Sequence, residues 1–93
     1  MYTSISRHGA ARGQQRAIPP IVDHWLDEFG DQAYDGHGAV RVYFSHRSVA
    51  AMEKSLGSHF VRQNGKYLRT YKVVSGDGYT ITIGWRRYRI RKK

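Results

Sequence analysis

Apolar residues recur at Ile18, Ile21, Val22, Trp25, Leu26 and Phe29, the i, i+3, i+4, i+7, i+8, i+11 spacing of a buried helix face. Pro19 and Pro20 fit its first turn, where a missing N–H is no loss, and Gly30 is placed to end it. The opposite face carries Asp23, His24, Asp27 and Glu28. Ahead of it, Ser4 to Arg16 predicts another helix despite Gly9 and Gly13, with Ser4 or Ser6 as cap. Beyond it, Asp35-Gly36-His37-Gly38 reads as a turn. Ala39 to Phe44 then predicts a strand with Val40, Val42 and Phe44 on one face and Arg41 and Tyr43 on the other. Ser48 to Leu56 predicts a short helix with Val49, Met52 and Leu56 inward and Gly57 as its stop.

From there the period changes to two. Phe60 to Gln63, Asn64-Gly65 and Lys66 to Val74 have the form of a β-hairpin, because Asn-Gly readily supplies the two positive φ angles of a tight primed turn. Ser75-Gly76-Asp77-Gly78 reverses the chain into a last strand, Tyr79 to Trp85. Ile81, Ile83 and Trp85 share a face by parity. Tyr88 and Ile90 have the opposite parity, so a bulge near Gly84 to Arg87 is needed to keep all five inward. The expected fold is α+β. Two N-terminal helices pack on a twisted, mostly antiparallel sheet of about four strands, with a short helix inserted after the first strand.

Ninety-three residues, 40% of them hydrophobic, supply one core, so residues 1–93 are expected to form a single domain with a basic tail at 86–93. The absence of cysteine removes disulfides and thiolate metal sites and fits a reducing, cytoplasmic compartment. No apolar run approaches the roughly 20 residues that cross a bilayer, so no membrane partner is expected.

Charge changes the picture most. The formal net charge is +9 and the isoelectric point is near 10.3. Residues 23 to 35 hold five acids and no Lys or Arg, whereas the flanking segments are strongly basic. Such an excess points to a nucleic acid or another polyanion, because Lys and Arg displace counterions condensed on phosphates. Arg86, Arg87, Arg89, Arg91, Lys92 and Lys93 crowd the end of the chain, and arginine suits bidentate phosphate contact. A localisation or solubility tail has the same composition. In Lys66 to Val74, Tyr67, Arg69, Tyr71 and Val73 fall on one face. If exposed, that face suits base stacking and phosphate contact; if buried, its tyrosines are core.

Metal chemistry finds little support. His8, His24, His37, His46 and His59 show none of the pairings that build a zinc site, and solvated or capping roles are the plainer reading. Asp23, Asp27, Glu28, Asp31 and Asp35 read as a solvated helix face, or as an acidic patch that orients the molecule on its polyanion. Neither a nucleophile elbow nor a phosphate-binding loop is present. No cofactor is expected.

His8, Arg12 and Arg16, spaced by four, line one stripe of the predicted first helix. The segment Ser6-Arg7-His8-Gly9-Ala10-Ala11-Arg12-Gly13-Gln14-Gln15-Arg16-Ala17-Ile18 resembles the opening of small bacterial proteins of the barnase/EndoU/colicin/RelE-type ribonuclease superfamily, with Ala17 where that family's pattern has glycine. The resemblance covers about the first third of the chain, with support from Thr80-Ile81-Thr82-Ile83-Gly84-Trp85-Arg86. It implies a toxin-like, metal-independent endoribonuclease in which the ribose 2′-hydroxyl attacks the adjacent phosphate. His8 would act as acid or base, Arg12 and Arg16 would clamp phosphate, and Arg69 or Arg86 would add charge from the sheet. The alternatives are a non-catalytic nucleic-acid-binding protein, or a module that binds an acidic protein partner such as an antitoxin.

Overall fold

The structure, a computed structural model, describes residues 4–5 and 17–87. The fold is α+β. In chain order the elements are β1 (Ser4–Ile5), α1 (Pro20–Phe29), β2 (Asp31–Tyr34), β3 (Val40–Tyr43), α2 (His46–Leu56), α3 (Ser58–Gln63), a 3-10 segment (Gly65–Arg69), β4 (Thr70–Val74) and β5 (Tyr79–Trp85). The sheet order is β1-β5-β4-β3-β2, with β2 to β5 antiparallel and β1 parallel to β5.

The helix predicted from Ser4 is corrected at its start. Ser4 and Ile5 are strand, paired with Tyr79 and Thr80. The rest of that prediction, residues 6–16, lies outside the described residues.

α1 forms as its periodicity predicts. Val22, Trp25 and Leu26 are buried with Ile18, and Phe29 packs beside them, while Ile21 is left exposed. Gly30 ends the helix with an ordinary φ of −68°. Its lack of a side chain matters for another reason: a Cβ there would sit 2.4 Å from the Leu26 carbonyl oxygen and 2.6 Å from Val42 Cγ1. Glycine is what lets the chain turn back from the helix directly against β3.

α2 begins two residues before the predicted start, because Ser45 caps it by accepting a hydrogen bond from the Ser48 amide at 3.1 Å. Met52 enters the core, Val49 lies partly buried, and Gly57 stops the helix at φ 92°. Leu56, expected inward, is exposed.

The Asn64-Gly65 hairpin does not form. Phe60 to Gln63 are helical in α3, with Val61 in the core and the Phe60 ring edge-on to Trp25 at 5.6 Å. Asn64 has φ −106° and Gly65 is not among the glycines with positive φ, so the primed turn's backbone is absent. Instead Asn64 closes the helix, donating from its amide N–H and its side-chain Nδ2 to the Phe60 carbonyl. Tyr67 and Arg69 consequently lie on the 3-10 segment and only Thr70 onward is strand.

Along β4 the even positions face the helices: Thr70 and Lys72 have no exposed surface, and Tyr71 and Val73 point to the other side. β5 carries a bulge, but not the one predicted near Gly84 to Arg87: Gly84 and Trp85 pair in regular register, and Tyr88 and Ile90, which that bulge was to bring inward, lie outside the described residues. Val73 pairs with Thr82 and Val74 with Thr80, which makes Ile81 the extra residue of a bulge and turns it outward, 42% exposed. Ile83 keeps its place in the core with Val42 and Phe44.

Candidate nucleic-acid interface

Antiparallel pairing sets the C-terminal ends of β3 and β5 beside the N-terminal ends of β2 and β4. This end of the sheet gathers most of the candidate residues that the structure describes. The Arg86 amide donates to the Arg69 carbonyl at 2.7 Å, tying the chain after β5 to the 3-10 segment. Lys66, Arg69, Trp85, Arg86 and Arg87 line a cleft of about 520 Å³. Tyr67 stacks on Trp85 with ring centroids 6.0 Å apart and planes 27° from parallel. Lys66 Nζ lies 5.0 Å from the centre of the Tyr67 ring, a cation over an aromatic face.

A second hollow, of about 370 Å³, adjoins the first and shares Arg86 as a wall. Tyr43, Phe44, Ser45, His46, Val49 and Leu68 complete it. The Arg86 side chain spans the boundary. One terminal nitrogen donates to the Phe44 carbonyl at 3.3 Å. Its Nε is buried without a hydrogen-bond partner. A buried donor left unpaired costs about 1–3 kcal/mol.

The acids tell the complementary story. Asp23 and Asp27 are not a solvated face: both accept from Lys72 Nζ, the former at 2.9 Å, across the interface between α1 and the sheet. Burial pushes the Asp23 carboxyl above its usual 3.8, partly offset by its hydrogen bond from Lys72. Asp31 accepts from the Ser45 hydroxyl and from Arg47, fastening the start of α2 to β2. Asp35 accepts from the backbone amides of His37 at 2.7 Å and Ala39 at 3.1 Å. Those bonds, the His37 one foremost, hold its carboxyl below 3.8. Glu28 lies 3.6 Å from His24. The acidic segment is therefore engaged internally, and no carboxylate among the described residues forms an ion pair with Lys66, Arg69, Arg86 or Arg87.

Of the sequence-predicted site residues, Tyr67, Arg69, Arg86 and Arg87 converge on the cleft or its rim. Tyr71 does not join them: it pairs with Tyr43 and Gly84 on the other face of the sheet and is half-buried. His8, Arg12, Arg16, Arg89 and Arg91 lie outside the described residues. Lys66, Trp85 and His46 were not singled out from the sequence. A basic residue beside an aromatic pair was the available signal for the first two, but the hairpin reading placed Lys66 and Trp85 on separate strands. Among the described residues no three His, Asp or Glu side chains group as metal ligands, and no helix is long and apolar enough to cross a membrane.

Comparison with protein-family models, with curated proteins and with solved structures finds no match for this chain.

Proposed function

We propose that this protein binds RNA through the cationic and aromatic end of its sheet. The observation that carries the reading is the convergence of Lys66, Arg69, Arg86 and Arg87 on one cleft beside the stacked Tyr67 and Trp85, with no carboxylate of the described residues paired to them. Cations in a groove track the phosphate backbone, and an aromatic ledge offers a surface on which bases stack whatever their identity. Arginine supplies three of the four charges, which suits planar, bidentate contact with phosphate.

The test is a binding titration of the full chain with a short single-stranded RNA across a series of salt concentrations. Affinity is expected to fall steeply as salt rises, and Arg69→Ala and Arg87→Ala to weaken binding at low salt while leaving thermal unfolding unchanged. Affinity indifferent to salt would remove phosphate contact from consideration. Capture of an acidic peptide in preference to RNA would favour a protein partner instead.

Cleavage is a second reading, favoured by His46 and Arg86 lining the same hollow, a proton-transfer group beside a cation. In such a step the ribose 2′-oxygen bonds to phosphorus and the bond from phosphorus to the 5′-oxygen breaks. The 2′-hydroxyl proton passes to the imidazole, and the departing 5′-oxygen takes one up from water. The products are a 2′,3′-cyclic phosphate and a 5′-hydroxyl end. Labelled RNA incubated with the protein in EDTA should yield those ends, with His46→Ala and His8→Ala tested separately. Intact RNA with the wild-type chain sinks this reading and leaves binding standing.

A further inference from the structure

We infer that the hollow beside the cationic cleft is a nucleobase pocket, and that the protein therefore selects single-stranded over fully base-paired nucleic acid. The inference rests on the RNA-binding reading and adds what that reading lacks, a place for the base. The two hollows differ in chemistry. The cleft is walled by three arginines, a lysine and Trp85. The adjoining hollow has an apolar wall of Phe44, Val49 and Leu68, with Tyr43, Ser45, His46 and Arg86 bringing its polar groups. A phosphate has no use for the first set of walls. A heteroaromatic base uses both, its faces against apolar side chains and its edge on a few donors and acceptors.

Size and position agree with this. About 370 Å³ lies at the small end of the range for ligand pockets, suited to a single ring system rather than to a folded peptide. Arg86 belongs to both hollows. A nucleotide whose phosphate sits among Lys66, Arg69 and Arg87 thus has the pocket beside it, across Arg86. Arg86, half-buried in the walls of both hollows, brings a guanidinium to their junction. His46 is exposed and Phe44 is buried, so the lining runs from a solvent-facing polar side chain to the core. A base held in a duplex has its edges and faces occupied and cannot enter without unpairing, which costs a few kcal/mol.

The experiment compares three polyanions with the wild-type full chain at one low salt concentration. They are a single-stranded RNA of about ten nucleotides, within the usual site size, an abasic ribose-phosphate oligomer of the same length and charge, and a blunt RNA duplex. The base-bearing strand should bind about tenfold or more tightly than the abasic one, the equivalent of one stacked base. The duplex should bind no better than the abasic strand. Val49→Trp, which fills the pocket without altering charge, should lower the RNA affinity to the abasic level and leave abasic binding unchanged.

Equal affinity for RNA and the abasic oligomer would overturn the pocket while leaving phosphate binding intact. A base-dependent gain that survives Val49→Trp would move the base to the ledge of Tyr67 and Trp85, and also overturn it. Failure of both polymers to bind would instead defeat the RNA-binding reading itself. Should Val49→Trp not fold, Leu68→Phe makes a smaller intrusion into the same hollow and is read the same way.

Discussion

Lys72 stands in the middle of β4 with no exposed surface, and its ammonium meets the carboxylates of both Asp23 and Asp27 from α1. In the sequence, alternation along Lys66 to Val74 leaves open whether the face holding Lys72 or that of its neighbours is buried, and the two acids, four apart, read as a helix's wet face. Only the packing of α1 across the sheet reveals that they share one buried site. Removing one member of such a group leaves the others charged and unpaired, at a cost of about 3–5 kcal/mol. Lys72→Met is accordingly expected to lose that much in urea unfolding at neutral pH. The triple variant with Asp23→Leu and Asp27→Leu should recover most of it, since an apolar replacement of a whole buried ion group is often neutral. A triple variant as unstable as Lys72→Met would assign the cost to packing. Gly30 is the other residue whose role is steric: with Leu26 and Val42 so close, Gly30→Ala should cost about 1–3 kcal/mol by overpacking, read in the same unfolding experiment.

At the scale of elements, those whose pattern and punctuation agree were legible. α1 has five apolar residues in helical phase, with Ile18 just ahead of it, and the turn after β4 forms as expected, with the Gly78 amide donating to the Ser75 carbonyl. β2 was not legible, because Asp31-Gln32-Ala33-Tyr34 buries only Ala33 and shows no apolar alternation; its pairing with β3 makes it a strand. The hairpin at Asn64-Gly65 failed for the opposite reason. A strong turn signal was overridden by the burial of Val61 and the contact of Phe60 with Trp25, which favour helix. That single substitution of element also moved Tyr67 and Arg69 off a strand face and into the cleft. The β2–β3 connection carries a pH prediction. The amides of His37 and Ala39 favour ionised Asp35, so its folded-state pKa lies below 3.8. Its contribution is therefore present above that value and is lost as pH falls through the depressed one. The melting temperature of the wild type should exceed that of Asp35→Asn at neutral pH, and the gap should close in acid. A gap constant with pH would show that hydrogen-bond geometry, not charge, sets the difference.

For the whole molecule, the question is whether an excess of nine positive charges acts as a diffuse coat or at one place. The acids argue for a place. Asp23 and Asp27 are taken up by Lys72, Asp31 by Arg47 and Ser45, and Asp35 by backbone amides, so they do not offset the cations at the far end of β5. Two double variants with equal change in net charge separate the cases. Lys66→Ala with Arg87→Ala removes charge from the cleft. Arg41→Ala with Lys54→Ala removes it from exposed positions on β3 and α2 that do not line it. Each phosphate contact with a single strand contributes roughly 0.7 to the slope of log affinity against log salt. The first pair should thus flatten the slope by about 1.4 and the second should leave it nearly unchanged. If both pairs flatten it equally, net charge alone governs binding and the cleft has no special standing. If only the first does, the polyanion is held at the end of the sheet, by the cleft's own cations.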